Sequence, residues 1–228
     1  MNDHVFDFHG ARLHARASGA LWWPAAGLLC VSDLHLGKAG RLARRAGALL
    51  PPYEGRDTLL RLDAEIAATG ATTVVCLGDS FDDGAAAATL APDLAGWLAR
   101  LAAGRRWIWV EGNHDPGPVA LPGSHRTRFE VQGLGFCHIA TAAAAEVSGH
   151  YHPKARIGLG GGSLSRPCFL IDRARVILPA FGTYTGGLSC TDPVLADLMG
   201  DGALAVLTGS RAHALPMPRS PRRRKESA

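Results

Sequence analysis

Three stretches of the chain are apolar at consecutive positions where an exposed strand would alternate: Leu28–Val31 (LLCV), Thr73–Leu77 (TVVCL) and residues 107–110 (WIWV). Short unbroken runs of this kind predict strands buried on both faces, as in a parallel sheet. Between the first two, Leu59, Leu62 and Ile66 recur at helical spacing and predict a helix over residues 57–69, with Asp57 as its cap and Gly70 at its end. Leu94, Trp97, Leu98 and Leu101 predict a second helix over residues 92–103, opened by Pro92. Residues 5–17 alternate on either side of Gly10 and predict a hairpin at a sheet edge. Leu21-Trp22-Trp23-Pro24 adds aromatic bulk to pack over the first buried strand.

From residue 128 the pattern changes. Residues 128–131, 134–139, 146–148, 155–159, 168–172, 175–178 and 204–207 are short strand-like runs separated by turns, several of them rich in glycine. They predict a second, mainly antiparallel sheet. The whole reads as an α/β (α+β) chain, with one domain over residues 1–218 and a basic, disordered tail over 219–228.

Composition narrows the function classes. The 47% hydrophobic content and 28 glycines fit a globular, loop-rich protein. No apolar run approaches a membrane span, and the start MNDHVFDFHG lacks the basic and apolar regions of a secretory signal, so a cytoplasmic protein is expected. The five cysteines are scattered without a Cys-x-x-Cys and read as small buried hydrophobes. The net charge of +4 resides in the tail, where RSPRRRKESA holds five basic residues and one acid; the remaining 19 basic and 19 acidic residues cancel. A neutral body argues against a broad nucleic-acid-binding face. The tail itself is open to two readings, a weak salt-dependent phosphate contact or a solvated terminus.

The chemistry lies at the strand ends. The first buried strand runs into Ser32-Asp33-Leu34-His35, the second into Gly78-Asp79, the third into Glu111-Gly112-Asn113-His114-Asp115. Strand carboxyl ends are where α/β sheets collect ligands. An extended backbone past Ser32 would place Asp33 and His35 on one side, as a mixed oxygen and nitrogen donor pair suited to a first-row divalent metal. Later, Phe136-Cys137-His138 and Gly149-His150-Tyr151-His152 end two further runs, and His150/His152 repeats the one-residue spacing of Asp33/His35. His4, His9 and His14 read as surface or edge histidines, and Asp82 and Asp83 as solvated loop acids. Lys38, Arg41, Arg44 and Arg45 follow the first donor pair and are open to two readings, a phosphate grip or a solvated helix face.

The ordered pattern D-x-H, G-D, G-N-H-D, H, G-H-x-H over residues 33–152 resembles the calcineurin-like metallophosphoesterase superfamily. The DLHLGK opening, SRPCFL at residues 165–170 and LPAFGTYTGG at residues 178–187 look like the bacterial ligase-associated DNA-damage-response metallophosphoesterases. One departure is Ser80-Phe81-Asp82, where that family more often has a histidine near Asp82.

The resemblance implies a four-layer αββα sandwich of two mixed β-sheets flanked by helices, with two divalent metals at the strand ends. Asp33, His35 and His152 would hold one ion, Asn113, His138 and His150 the other, and Asp79 would bridge them. It implies phosphoester hydrolysis by a metal-bridging hydroxide, with His114 as general acid and Asp115 orienting its imidazole. Mn²⁺ is the first choice for such a donor set, with Fe or Zn also suited. Family resemblance points to a phosphodiesterase acting on nucleic acid, a DNA-repair endonuclease, with DNA ligase or helicase repair partners. The alternatives are a phosphomonoesterase or small-nucleotide hydrolase and, from another class, a non-catalytic repair scaffold acting through the tail.

Overall fold

The computed structural model describes residues 2–38, 53–117 and 121–219. Strands β1 (His4–Phe8), β2 (Ala11–Ala15), β3 (Leu21–Trp23), β4 (Leu28–Val31), β5 (Thr73–Leu77), β6 (Arg106–Val110) and β7 (Ser124–Arg126) form one seven-stranded sheet in sequence order. Its first four strands pair antiparallel and β4 to β7 pair parallel. The hairpin around Gly10 is the outer edge, as its alternation predicts. The tryptophan stretch is itself a strand, β3, rather than bulk laid over one.

The second sheet holds β8 (Arg128–Val131), β9 (Leu134–Cys137), β10 (Glu146–Ser148), β12 (Gly162–Ile171), β13 (Arg175–Ile177), β14 (Leu204–Leu207) and β15 (His213–Pro216), with β11 (Lys154–Leu159) paired to β12 off the main path. It is mixed: β10 runs parallel to both β9 and β13, while the other pairs are antiparallel.

The unbroken apolar runs have a simple cause. In β4, Leu28 and Cys30 face the second sheet and meet a cluster that includes Phe136, Val147 and Phe169. Leu29 and Val31 face the other way, toward Leu59, Leu62 and Ile66 of α1 (Glu54–Thr69) and Leu98 and Leu101 of α3 (Pro92–Ala102). A short helix α2 (Gly84–Ala88) precedes α3. On the far side of the second sheet, Leu170, Ile177 and Ala205 pack against Leu195 of α4 (Pro193–Leu198). The layers are therefore helix, sheet, sheet, helix.

Helix α1 begins three residues before Asp57, which does not cap it. The Asp57 carboxylate instead accepts hydrogen bonds from Thr183 Oγ1 at 2.6 Å and Arg61 Nε at 3.2 Å, tying α1 to the 178–187 stretch. All five cysteines are buried and free of disulfides, as expected for small core residues. Among the described residues no helix is long and apolar enough to cross a membrane.

Candidate metal centre

Three loops zip together beyond the ends of the first sheet. Asp33 N–H donates to Gly78 O at 3.2 Å, His35 N–H to Asp79 O at 2.9 Å and Leu36 N–H to Ser80 O at 3.0 Å, so the loops after β4 and β5 continue the sheet's pairing. On the other side of the first loop, Phe181 N–H donates to Ser32 O and Gly182 N–H to Asp33 O. Gly182 is obligatory there, because an added Cβ would lie 2.2 Å from Leu34 O. The family-like LPAFGTYTGG stretch thus works as a splint for the first donor loop.

The backbone within these loops is not extended. Asp33 (φ 53°), His35 (φ 45°), Asp79 (φ 45°), His150 (φ 70°) and His152 (φ 46°) all lie in the left-handed region. Each such residue costs about 1–2 kcal/mol relative to ordinary backbone, and strain of this kind gathers at functional sites. The shared face of Asp33 and His35 therefore comes from two left-handed turns held by the zipped loops, not from a strand continuing past Ser32.

Two donor groups result. In the first, Asp33, His35 and His152 offer atoms that all lie within 4.8 Å of one another. Asp33 Oδ2 accepts from the Ser32 hydroxyl and from His150 N–H, leaving Oδ1 directed at His152 Nε2, 3.1 Å away. Asp33 Oδ1, His152 Nε2 and His35 Nε2 are buried without a hydrogen-bond partner.

The second group is Asp79, His138 and His150, within the same 4.8 Å limit. His138 Nδ1–H donates to Leu77 O at 2.9 Å, which turns the Nε2 lone pair toward Asn113 Oδ1 at 2.9 Å, His150 Nδ1 at 3.2 Å and Asp79 Oδ2 at 3.3 Å. Asp79 Oδ1 accepts from His114 N–H at 2.8 Å. The groups abut, with His138 Nδ1 3.9 Å from Asp33 Oδ1.

The electrostatics favour added positive charge. Burial pushes the Asp79 carboxyl up, but His138, with the amide and ring of His114, outweighs it and holds the carboxyl down at about 2. Burial opposes a proton on His138, yet Asp79 and Asp33 hold its pKa above the ordinary imidazole value. Burial and the neighbouring His138 push His150 below it. A buried set of acceptors and lone pairs with too few protons to share is costly in isolation. Divalent cations would satisfy it, and the seven residues expected as ligands offer the nitrogen and oxygen donors such ions take.

The remaining expectations divide. His114 lies beside the first group, its ring centroid 5.3 Å from that of His35. Its orientation does not come from Asp115. His114 Nδ1–H donates to the backbone carbonyl of Asp82 at 2.8 Å. Asp115 Oδ1 accepts the amides of Asp79 and Gly112, and Oδ2 those of Ser80 and Phe81, at 2.7–3.2 Å. Burial pushes its carboxyl up to about 6, with Asp79 adding to the rise against the pull of those amides. Asp115 is a brace between the second and third loops; its four short-range amide partners leave it no lone pair aimed at the His114 ring.

Asp82 is not a solvated acid. It is fully buried, and its Oδ1 lies 3.0 Å from His35 Nδ1. Asp82, His35 and His114 also offer atoms within 4.8 Å of one another. A carboxylate behind a ligating imidazole fixes the ring and raises its basicity. Asp83, by contrast, caps α2 through Ala86 N–H at 2.6 Å. Two adjacent acids before a helix looked like one solvated pair. The distinguishing sign was Phe81, a core aromatic that fixes the chain on the buried side one residue earlier. Asp82→Asn is expected to weaken divalent-metal affinity about 10- to 100-fold with little change in melting temperature, measured by Mn²⁺ titration. Unchanged affinity would remove Asp82 from the site.

Lys38 is half-buried at the end of the first donor loop. Arg41, Arg44 and Arg45 lie outside the described residues.

Comparison with known proteins agrees with this geometry. No curated protein matches the sequence. Among solved structures, the nuclease MPE of Pseudomonas putida is 25% identical with a TM-score of 0.74, covering 94% of this chain and 100% of its own. YfcE, a phosphoesterase from E. coli, matches at 12% identity with a TM-score of 0.39, over 84% of this chain and 99% of its own. The sequence model described as calcineurin-like phosphoesterase matches residues 27–172, which span every donor named above. That match covers more than half of the chain, and the chain belongs to the calcineurin-like phosphoesterases.

Proposed function

We propose that this phosphoesterase is a phosphodiesterase acting on nucleic acid, with two divalent ions, Mn²⁺ preferred, at the two donor groups. The observation that carries the reading is the abutting pair of buried groups, joined through the His138–Asp33 and His138–Asp79 contacts, with His114 beside them. Bound ions would supply Lewis-acid activation of water and neutralise charge on the phosphoryl oxygens. All donors are nitrogen or oxygen, which favours Mn²⁺ over a thiolate-seeking metal. His114, with Nδ1–H donating to Asp82 O, leaves Nε2 as the free ring atom, and the doubly protonated ring can pass a proton from it to the leaving oxygen. Asp115 and the Gly182 splint hold the loops so that these groups need no rearrangement to act. The nucleic-acid part of the reading is supported by the Pseudomonas putida protein, itself named a nuclease. The monoesterase reading draws only on the near-zero charge of the body.

Purified protein loaded with Mn²⁺ should turn over bis-p-nitrophenyl phosphate faster than p-nitrophenyl phosphate and should cleave DNA. Turnover of the monoester alone would establish the monoesterase instead.

A further inference from the structure

Next to the metal centre the chain builds a second feature that none of the site chemistry uses. Strands β11 and β12 form a hairpin in which Lys154 pairs with Pro167, Arg156 with Ser165 and Gly158 with Ser163. Alternation along a strand puts these residues on one face and Ala155, Ile157, Leu164 and Arg166 on the other. The second face is largely apolar, and Ala155 and Ile157 on it join the core beneath the second sheet. The first lines an open groove of about 730 Å³ with Ser189, Thr191, Gly187 and Pro218. Its described lining contains two cations and four hydroxyl side chains, and no acid and no aromatic ring.

The groove adjoins the loop that carries His152. Lys154 follows the donor His152 by two residues. Gly187 lies against the backbone of His152, where an added Cβ would come 2.0 Å from His152 O. Lys154 Nζ is held by Thr185 O at 3.1 Å, which fixes the cation at the end nearest the site. Arg156 lies exposed farther along.

We infer that this groove carries the phosphodiester backbone of a nucleic-acid strand on its way into the metal centre, an inference that rests on the nucleic-acid reading above. Cations interleaved with serine and threonine hydroxyls are the side chains that contact phosphate oxygens. With no aromatic platform, the groove lacks the stacking surface used to bind single-stranded bases. Contact is therefore with the backbone, independent of sequence and strongly dependent on salt. Lys154 and Arg156, about 7 Å apart along the strand, reach across one or two phosphate steps. This local basic groove is compatible with a neutral body, because its charge is concentrated at the site entrance.

The test compares the wild type with Arg156→Ala, Arg156→Lys and Ser165→Glu, the last placing a negative charge on the facing strand. In chelator, fluorescence anisotropy of a labelled DNA duplex is read across a salt series. With Mn²⁺, DNA cleavage and bis-p-nitrophenyl phosphate hydrolysis are read separately. Arg156→Ala should lower the salt slope of DNA binding by about one phosphate's worth, 0.9, and raise KM for DNA roughly tenfold with kcat retained. Ser165→Glu should act in the same direction, and Arg156→Lys should recover most of the loss. Hydrolysis of the small diester should be unchanged in all three. Wild-type DNA binding and KM in both Arg156→Ala and Ser165→Glu would overturn the groove while leaving the nuclease reading intact. A wild type that hydrolyses the small diester but neither binds nor cleaves DNA would overturn both.

Discussion

Replacing Asp79 with alanine is expected to strip the divalent ions from the protein and abolish phosphoester hydrolysis, with the fold retained. Asp79 has two roles in the site. Its Oδ2 joins the His138 and His150 group, and its Oδ1 receives the amide of His114. Alanine removes the donor and frees the His114 loop together. The carboxyl is held down at about 2, so at neutral pH it contributes a full negative charge to the region where cations must bind. Asp79→Asn separates the two roles. The amide oxygen can still receive His114 N–H, and asparagine tolerates the left-handed backbone at φ 45° better than alanine. That variant should keep the loop and lose the charge, so its metal content should fall while its melting temperature matches the metal-free wild type. Metal analysis of the purified variants decides the matter: an Asp79→Ala protein with the wild-type complement of metal would exclude the carboxylate as a ligand. Thermal melts of the chelated proteins supply the control. Removing Asp79 also relieves repulsion on buried Asp115, whose carboxyl it helps push up, so metal-free stability should change little.

The fold was legible where burial is two-sided. The unbroken runs at β4, β5 and β6 marked strands with neighbours on both faces, and the helical spacing of Leu59, Leu62 and Ile66 marked the face of α1 that covers them. Less legible were β3, β7 and β15, three- or four-residue strands whose pairing depends on a partner already in place. The mixed character of the second sheet was hidden for a similar reason. Parallel pairing of β10 with β9 and β13 is set by connections, not by any pattern within Glu146–Ser148.

At the site, residue type and order pointed to the donors, but not to the backbone that aims them. Left-handed turns at Asp33, His35, Asp79, His150 and His152 occur at residues with side chains, where glycine would have signalled them. The glycines that are present mark something else. Gly78 keeps clear of the His138 ring, Gly112 of Asp79 and Gly149 of Ser32, each a place where a Cβ would enter the donor cage. Asp82 and Asp115 were misread because a carboxylate's partners are set by tertiary approach. One faces an imidazole from a neighbouring loop and the other braces amides from two loops.

His114→Ala is expected to cut turnover of DNA by about 10²- to 10⁴-fold, the range of general acid catalysis, with metal content unchanged. The prediction follows from what alanine keeps and what it removes. The backbone amide that holds Asp79 stays, and so do the seven expected donor side chains, while the Nδ1–H contact to Asp82 O and the Nε2 atom that would carry the transferred proton are lost. A structural role for the ring would depress every substrate alike. A general acid acts on the departing oxygen, so its loss should depend on how much that oxygen needs a proton. The alkoxide leaving from DNA is strongly basic and should suffer the full effect. The p-nitrophenolate leaving from bis-p-nitrophenyl phosphate is weakly basic and should suffer far less. Parallel kcat measurements on the two substrates therefore separate proton donation from positioning. Equal losses on both would assign His114 to holding the phosphoryl group rather than to proton donation.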